Sequence, residues 1–467
     1  MPDNPAPSPG TPTPPPGTPA PQPGTPTASP GTPAPQPGTP TASPGTPAPQ
    51  PGTPTPPPGT PAPQPGTPTP TPPPGTPPPP PVILGDEPGS FPYGVLAERH
   101  PAIIRQVRDA FPYDPAVHHA LDALLESCLK GVIEPLPVGA HDGDRWRGWG
   151  LGTYTGRSWF EVPWLWSESY FYRRLLEAVG HFGPGVWQGL DPFRPFKHAE
   201  LDAPETGEEL AALDTLRTRP AEERARALLH GSLWGNRADL GFRLSDADAE
   251  TRDAAPGLVA DDSEALWALL PAGRRTPGTV CLIADNAGRE LIPDLLLAAH
   301  LLEQGRAGRV VLHVKPYPYY VSDATPADVV DALRTLTAAP GEAAAYGRRL
   351  WAAMADGTLG VRAHPFAAAP LPYAEMPPDL RAEFGAADLT IVKGDLNYRR
   401  LVGDRRWPPT TPFADTVTHF PGPVAALRTL KSEVITGLTE ETESALITAE
   451  AQRWRTTGTH ALIQVRT

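Results

Sequence analysis

Cysteine is scarce in this sequence, because the 467 residues include only Cys128 and Cys281. Both thiols lie in apolar stretches, and their spacing matches neither a disulfide framework nor a metal-binding motif. We therefore expect two buried thiols that pack as small hydrophobic side chains in a reducing compartment.

Long apolar runs and an excess of basic charge are also missing. No uninterrupted apolar stretch of about 18 residues occurs, so we expect neither a membrane-spanning helix nor a membrane partner. The first residues, MPDNP, show neither the basic nor the apolar part of a secretory signal, which favours a cytoplasmic location. The formal net charge of −13 argues against nucleic acid as a partner but allows a small anionic substrate.

Proline is abundant instead, with 69 residues, most of them before Val82. Within residues 1–81, glycine recurs every seven residues in units such as PGTPAPQ and PGTPTAS. Proline at the intervening positions forbids a coiled coil, and collagen would need glycine at every third position. We expect residues 1–81 to be a disordered tail with polyproline-II character that acts as a spacer. The alternative is a docking strip for a proline-reading domain.

The remaining residues, roughly 385, are enough for two packed units. Residues 95–180 show helical periodicity; Trp164, Glu168, Phe171 and Leu175, for example, are spaced to share one helix face. From residue 278 onward, helices alternate with short apolar strands: TVCLIA (279–284), RVVLHV (309–314) and LTIVK (389–393). This alternation predicts an α/β fold whose mainly parallel sheet is covered by helices on both faces.

Polar residues stand at the ends of these three strands. Asp285 and Asn286 follow the first strand, Asp323 follows the second after a short aromatic stretch, and Asp395 follows the third. Because ligands of parallel sheets bind outside the carboxyl ends of the strands, we expect these side chains to converge. Carboxylate and amide oxygens suit a six-coordinate divalent ion. Taken singly, Asp285 or Asn286 fits a helix N-cap better than a functional residue, and Asp323 could also be only a cap. Asp395 could belong to an ordinary strand-to-helix turn.

Other signals are weaker. The sequence has no Walker A motif, no GxGxxG after a strand, no HExxH and no GxSxG. His313, His364 and His460 lie in apolar surroundings, which favour core histidines over metal ligands. Arg428 and Lys431 predict either a solvated basic patch or a phosphate contact, and the pattern alone leaves both open.

Several strings, in order along the chain, resemble the damage-control phosphatase family, once called domain of unknown function 89. The strings are DNAGRE (285–290), YYVSD (319–323), KGDLNYRRL (393–401) and RTLK (428–431). The last is similar to the RTxK pattern of the third subfamily, the acidic residue methyltransferase 1-like sugar phosphate phosphatases. Supporting strings extend the resemblance from about residue 90 to the end: FPYGVLAERHPAII (91–104), WFEVPWLWSESYFYRR (159–174) and LWGNRADL (233–240).

The resemblance implies a helical domain over residues 90–255, packed on a three-layer α/β/α domain over residues 256–467. It implies a divalent metal ion (manganese, nickel, cobalt or magnesium) and three residues that hold the ion and carry catalysis: Asp285, Asn286 and Asp323. It implies substrate contacts from a larger set: Asp285, Asn286, Asp395, Leu396, Asn397, Tyr398, Arg399 and Lys431. The expected reaction is the hydrolysis of phosphate monoesters of small metabolites, such as fructose 1-phosphate or fructose 6-phosphate, which removes damaged or excess metabolites.

Two features of the sequence depart from the pattern of the family. Tyr319-Tyr320 stands where the family commonly has Trp-Phe, which alters the expected pocket wall, and the proline tail lies outside the family pattern.

Two other functions are open. An S-adenosylmethionine-dependent protein carboxyl methyltransferase is one alternative, although the sequence lacks a glycine-rich loop of the usual kind. A non-catalytic binding module, with the tail as its working part, is the other.

Overall fold

Seven strands form one sheet in the computed structural model, which describes residues 79–235 and 257–467. The strands are β1 (Leu258–Asp261), β2 (Thr279–Ile283), β3 (Arg309–His313), β4 (Leu359–Arg362), β5 (Leu389–Lys393), β6 (Val424–Thr429) and β7 (Ala461–Arg466). Their spatial order is β1-β7-β6-β5-β2-β3-β4. The five strands from β6 to β4 are mutually parallel, whereas β7 runs antiparallel to β6 and pairs in parallel with β1.

Helices precede the sheet and connect its strands. Before β1 they are α1 (Phe91–Gly94), α2 (His100–Ala110), α3 (Pro115–Lys130), α4 (Gly143–Gly148), α5 (Leu151–Tyr154), α6 (Trp164–Ala178), α7 (Arg194–Leu201), α8 (Pro204–Arg217) and α9 (Ala221–Trp234). After β1 they are α10 (Ser263–Leu269), α11 (Leu291–Glu303), α12 (Pro326–Ala338), α13 (Gly341–Asp356), α14 (Pro378–Ala386), α15 (Asp395–Val402), α16 (Phe413–Thr416) and α17 (Glu440–Glu450). In these described parts of the chain, none of the helices has the length and apolar character needed to cross a membrane.

The predicted α/β class is therefore confirmed, with N-terminal helices and a mostly parallel sheet. Residues 1–78 of the predicted tail lie outside the described residues, as do residues 236–256, which include the end of the string LWGNRADL. The division into domains at 90–255 and 256–467 stays a prediction.

Alternate residues of β2 enter two different hydrophobic clusters. Val280 and Leu282 pack in one cluster with Leu295 of α11, whereas Cys281 packs in the other with Phe384 of α14. Successive side chains of a strand point to opposite faces of the sheet. Both faces of β2 are therefore buried, which explains why its sequence is an unbroken apolar run.

Helix α6 is buried over most of its surface. The predicted face, from Trp164 to Leu175, is inaccessible to solvent, and so are Trp166 and Tyr170 on other sides of the helix. The ring of Phe171 stacks on His100 of α2 with centroids 3.6 Å apart. Helix α6 is therefore the central element of the helical region, and its position is fixed by aromatic packing.

The direction of strand addition reverses beside β2. From β2 the chain adds β3 and then β4 on one side, and it afterwards returns to place β5 and β6 on the other side. The carboxyl ends of β2 and β5 thus border a crevice where the connections leave in opposite directions. Such a crevice is where open α/β sheets bind ligands.

Residues 80–84 tie the start of the described chain to the fold. Val82 forms an isolated bridge with Arg405, the carbonyl of Pro80 accepts a 2.7 Å hydrogen bond from the guanidinium of Arg405, and Ile83 is only 3% exposed. The last part of the predicted tail therefore packs against the fold.

This packing gives a prediction about two truncations. We expect removal of residues 1–78 to leave the melting temperature unchanged, because Met1 is the only large apolar side chain that the sequence has in that segment. Removal of residues 1–84 also loses the burial of Ile83, which is worth about 1.5–3 kcal/mol, and should lower the melting temperature by several degrees. Scanning calorimetry of both truncations beside the full chain measures this, and equal melting temperatures would contradict it.

Candidate active site

The segments after β2 and β3 pair with each other and bring the predicted metal ligands together. Asn286 and Asp323 form an isolated antiparallel bridge, and the N–H of Ala324 donates a 2.9 Å hydrogen bond to the carbonyl of Asp285. The side chains of Asp285 and Asp323 are both buried, with residue exposures of 8% and 4%. The convergence expected from the strand ends is therefore present in the fold.

Gly394 allows the end of β5 to reach the same place. Its φ angle is +83°, in the region that favours glycine. A Cβ atom at this position would lie 1.9 Å from Oδ2 of Asp285, far inside van der Waals contact. Any other residue would therefore displace either the Asp285 carboxylate or the start of α15.

Asp395, the first residue of α15, connects β5 to the segment after β6. Its Oδ1 accepts hydrogen bonds from Nε of Arg428 (2.8 Å), from Oγ of Ser432 (3.0 Å) and from the backbone N–H of Lys431 (3.2 Å). Burial opposes ionisation of Asp395, but the charges of Arg428 and Arg399 outweigh it and hold the pKa of this carboxyl below its ordinary value. Arg428 is fully buried, so the interpretation as a solvated patch is wrong for this residue, whereas Lys431 is exposed.

Asp285 lies in surroundings that disfavour its charge. Burial raises the pKa of this carboxyl well above its ordinary value, and the negative charges of Glu290 and Asp323 raise it further. The positive charges of Lys431 and Lys393 act in the opposite direction. The charge of Lys431 therefore affects the ionisation of Asp285, and a contact between Lys431 and a substrate stays a prediction.

The pKa of Asp323 is also raised by burial and lowered by nearby cations, but the cations are different ones. Burial raises the pKa of its carboxyl to about 6, against the opposing charges of Lys315 and Lys197. Nζ of Lys315 lies 3.3 Å from Oδ2 of Asp323, and Nζ of Lys197 donates a 2.9 Å hydrogen bond to the backbone carbonyl of Asp323. Lys197 also pairs with Asp191 and Asp328. Sequence patterns did not single out either lysine, although Lys315 stands only two residues after β3 and its position could have indicated a role.

Asn286 is held in one orientation by its neighbours. Its Nδ2 donates to Oε2 of Glu290 at 2.9 Å, and its Oδ1 accepts from Oγ of Ser322 at 2.7 Å. Glu290 was also missed, although it ends the string DNAGRE. Its Nδ2 also lies 3.5 Å from Oδ2 of Asp285, so the amide nitrogen faces the carboxylates of Glu290 and Asp285 while the amide oxygen faces Ser322.

The N-cap interpretation is wrong for both aspartates. Helix α12 is capped by Thr325, whose N–H and hydroxyl donate to Oδ2 of Asp328 at 2.8 and 2.7 Å. Helix α11 is preceded by a 3₁₀ turn over Gly288–Glu290 with Ala287 at its N-cap. The carboxylates of Asp285 and Asp323 therefore do not serve the helices that follow them.

The remaining predicted substrate residues lie in α15 and are largely enclosed. Nδ2 of Asn397 donates to the carbonyls of Ala284 (3.0 Å) and Lys393 (2.9 Å), so this side chain joins the ends of β2 and β5. The hydroxyl of Tyr398 lies 3.0 Å from Oγ1 of Thr436 and 3.0 Å from Oε1 of Gln464.

Arg399 and Leu396 are the other two predicted substrate residues of α15. The Arg399 guanidinium pairs with Asp404 (2.7 Å) and with Glu168 of α6 (3.0 Å), and it lies over the ring of Trp164. Leu396 is 7% exposed and packs with Tyr319. Direct substrate contacts from Leu396, Asn397, Tyr398 and Arg399 stay a prediction.

The Tyr319-Tyr320 pair attaches the β3–α12 segment to helix α6. The hydroxyl of Tyr319 donates to Oγ of Ser169 at 2.6 Å, and the hydroxyl of Tyr320 donates to Oε2 of Glu168 at 3.1 Å. Tyr320 has a φ angle of +52°, which is unusual for a residue other than glycine. Its ring stacks on Tyr172 with centroids 4.6 Å apart. The helical region thus holds the segment that carries Asp323.

The donor set fits a divalent metal ion. Oδ2 of Asp323 is a buried atom without a hydrogen-bond partner in the described structure, although Lys315 lies at ion-pair distance. Carboxylate oxygens from Asp285 and Asp323 and the amide oxygen of Asn286 are hard ligands of the kind that magnesium and manganese prefer. Gly394 leaves the space that the Asp285 carboxylate itself occupies.

Comparison with known proteins identifies similar sequences. Residues 95–447 match the family model described as damage-control phosphatase ARMT1-like domain. The chain is 34% identical over 330 residues to the damage-control phosphatase ARMT1 of Mus musculus, covering 66% of this chain and 74% of the relative. It is 30% identical over 441 residues to the protein of the same name from Homo sapiens, covering 81% of this chain and 97% of the relative. A solved structure of a DUF89 family protein from Pyrococcus horikoshii covers 73% of this chain and 92% of its own, but at 15% identity and a TM-score of 0.43 it adds no argument.

The close approach of Gly394 to Asp285 gives a prediction with a matched control. Gly394→Ala and Gly403→Ala both place a Cβ at a φ angle near +82°, which should cost about 1–2 kcal/mol each. Only the former also meets the Asp285 carboxylate, because the nearest atom to a Cβ at Gly403 is on the Arg405 side chain at 3.8 Å. We expect Gly394→Ala alone to weaken divalent-metal binding, measured by titration calorimetry. Equal metal affinities of the two variants would contradict this geometry.

Proposed function

The chain belongs to the damage-control phosphatase ARMT1-like family, whose named relatives are phosphatases, and on that premise we propose which substrates it cleaves and how. The proposed substrates are phosphate monoesters of small metabolites, in particular sugar phosphates such as fructose 1-phosphate or fructose 6-phosphate. The proposed role is the removal of damaged or excess metabolites.

One observation carries this proposal. Two buried carboxylates, Asp285 and Asp323, lie close together on the paired segments after β2 and β3, and the charge of the exposed residue Lys431 acts on Asp285. An anionic group that bridges a metal ion and an ammonium group fits this arrangement of charges. A phosphate monoester is such an anion.

Asp285, Asn286 and Asp323 would hold the divalent ion, with manganese, nickel, cobalt and magnesium as the candidates. When bound, such an ion acts as a Lewis acid on a phosphoryl oxygen and promotes deprotonation of a nucleophilic water. The contribution of the chain is to keep the three ligands fixed: Ser322 and Glu290 orient Asn286, and Lys197 holds the backbone of Asp323.

Lys431 and helix α15 would bind the phosphoryl group. The backbone of Lys431 is fixed by its hydrogen bond to Asp395, while its side chain stays exposed. The first N–H groups of a helix lack partners within that helix, and the N-terminus of α15 begins directly after Gly394. Both features favour the negative charge that develops on the phosphoryl oxygens during transfer.

Asp395 would contact a hydroxyl of the substrate. The hydrogen bonds described for its carboxylate all go to Oδ1, and the side chain is 16% exposed. Oδ2 is therefore the oxygen available to a sugar hydroxyl in the described structure. The strong contacts from Arg428 keep this carboxylate ionised, as an acceptor must be.

A phosphate-release screen of sugar phosphates against divalent metals tests the proposal. The full chain should release phosphate only with a divalent ion present, and Asp323→Asn should lose metal affinity and turnover together because a charged ligand is replaced by a neutral one. Asp109→Asn, a change at an exposed residue of α2, is the matched control and should behave as the parent. Parental affinity and turnover in Asp323→Asn would remove Asp323 from the metal site.

Lys431 allows a separate test of the proposed contact with the phosphoryl group. Lys431→Ala should leave metal affinity nearly intact and lower kcat/KM roughly ten- to a hundred-fold, the effect of losing a charge-assisted contact worth about 1.5–3 kcal/mol. Lys431→Arg should not restore the rate, because a planar guanidinium does not replace a compact ammonium group. Lys130→Ala removes an exposed lysine of α3 and serves as the control. Parental rates in both Lys431 variants would place this side chain outside the site.

A further inference from the structure

A second group of ligand-type side chains lies on the face of the sheet that is covered by α14. Cys281 is in the middle of β2, His313 ends β3 and Glu383 is on α14. One ligand atom from each residue lies within 4.8 Å of the other two. The register explains the proximity of the first two: Ile283 pairs with His313, and Cys281 points to the same face two residues earlier.

The polar atoms of this group are poorly satisfied by the protein. His313 is 5% exposed, and its Nε2 has no hydrogen-bond partner in the described structure. The nearest charged oxygen, Oε1 of Glu383, lies 3.7 Å away, which is beyond hydrogen-bond reach. A buried imidazole nitrogen without a partner is costly, and this one belongs to a group with two further ligand-type side chains.

We propose that Cys281, His313 and Glu383 bind a transition-metal ion, with zinc as the preferred ion, at a site separate from the one formed by Asp285, Asn286 and Asp323. Thiolate, imidazole and carboxylate are the three ligand types of zinc, and three protein ligands leave a fourth position for water. Magnesium and manganese prefer oxygen ligands, so the two sites differ in the ions that they select.

The distances require a modest contraction on binding. Zinc–ligand bonds of about 2.0–2.3 Å in a tetrahedral site place the ligand atoms roughly 3.3–3.6 Å apart. The present separations of up to 4.8 Å would therefore shorten by about 1 Å. Glu383 can supply this movement, because its side chain is 20% exposed and belongs to a nine-residue helix at the surface. The same exposure provides an entry path for the ion.

The imidazole is ready to bind as a neutral ligand. Burial lowers the pKa of His313 to about 3, and the nearby charges of Arg362 and His364 lower it further. No proton competes with the metal at this nitrogen near neutral pH. The Cys281 thiol must lose its proton on binding, as cysteine ligands do, and the charge of the ion replaces it.

The charges that surround the group are compatible with a cation. Arg362 donates to Oε2 of Glu383 and pairs with Asp379 at 3.0 Å, and His364 lies 3.1 Å from the same Asp379 carboxylate. Arg362 therefore fixes the carboxylate through one oxygen and leaves Oε1 directed at His313. The two carboxylates and a thiolate would outweigh the positive charge of Arg362 and leave a net attraction for a divalent ion.

Such an ion would join β2, β3 and α14. Cys281 stands four residues before Asp285, and His313 stands two residues before Lys315. The site would therefore stabilise the strand ends that carry the candidate active site without taking part in the reaction. The sequence alone does not reveal it, because the three residues come from distant parts of the chain.

Cobalt(II) titration of the metal-stripped full chain tests this inference. A thiolate bound to cobalt(II) gives a charge-transfer band in the near ultraviolet, whereas the oxygen ligands of Asp285, Asn286 and Asp323 give none. We expect such a band to saturate by two equivalents, because the candidate active site can also take up cobalt, to disappear on addition of zinc, and to be absent in Cys281→Ser. Cys128→Ser removes a second buried thiol that lies in α3, and it should retain the band.

Glu383→Gln keeps the inference testable if the Cys281 variant does not fold. This change should weaken cobalt binding at least tenfold, whereas Asp379→Asn, on the same helix and also paired with Arg362, should not. No band in the parent protein, a band that persists in Cys281→Ser, or equal affinities of the two α14 variants would overturn the proposal. The Asp323→Asn protein should keep the band, so failure of the proposed phosphatase chemistry is distinguishable from failure of this site.

Discussion

Two buried carboxylates, Asp285 and Asp323, lie side by side at one end of the sheet, and the surrounding structure has to balance their charge. Burial raises the pKa of both carboxyls; the charges of Glu290 and Asp323 add to the shift of Asp285, and the charge of Glu168 adds to that of Asp323. Lys315 lies 3.3 Å from Asp323 and offsets part of that charge, while Lys431 approaches from the exposed side. In the proposed function, a divalent ion held by both carboxylates would stabilise their ionised forms and would bind a phosphate together with Lys431.

The helical region supports this arrangement from the other side of the crevice. Lys197 of α7 holds the backbone of Asp323, and Glu168 of α6 receives both Arg399 from α15 and the hydroxyl of Tyr320. These contacts cross between regions that are far apart in the sequence. The geometry of the carboxylates therefore depends on how the helices pack against the sheet, and the tyrosine hydroxyls add contacts that Trp and Phe at the same positions could not make.

The sequence predicts those parts of the fold that depend on residues close together in the chain. The apolar runs of β2, β3 and β5 and the polar residues that follow them were readable, because strand burial and the strand-end rule act locally. Strand β6 was missed because Arg428 resembled part of a surface patch, and only its partner Asp395 explains why it is buried. The enclosed contacts of Asn397 and the role of Lys197 were equally hidden, since each depends on partners in distant segments. Local pattern locates the site, whereas long-range pairing determines which side chains are free to act in it.

The order of strands has a consequence for how the chain is made. In the described sheet β1 pairs with β7 alone, with Leu258 opposite Ala461, so two strands about 200 residues apart must meet. During synthesis β1 leaves the ribosome long before its partner exists, while β2 and β3 can already associate. An unpaired strand is a template for pairing with other chains, and contacts of such long separation form late. The interval before β7 is synthesised is therefore the stage at which a nascent chain most needs protection by chaperones.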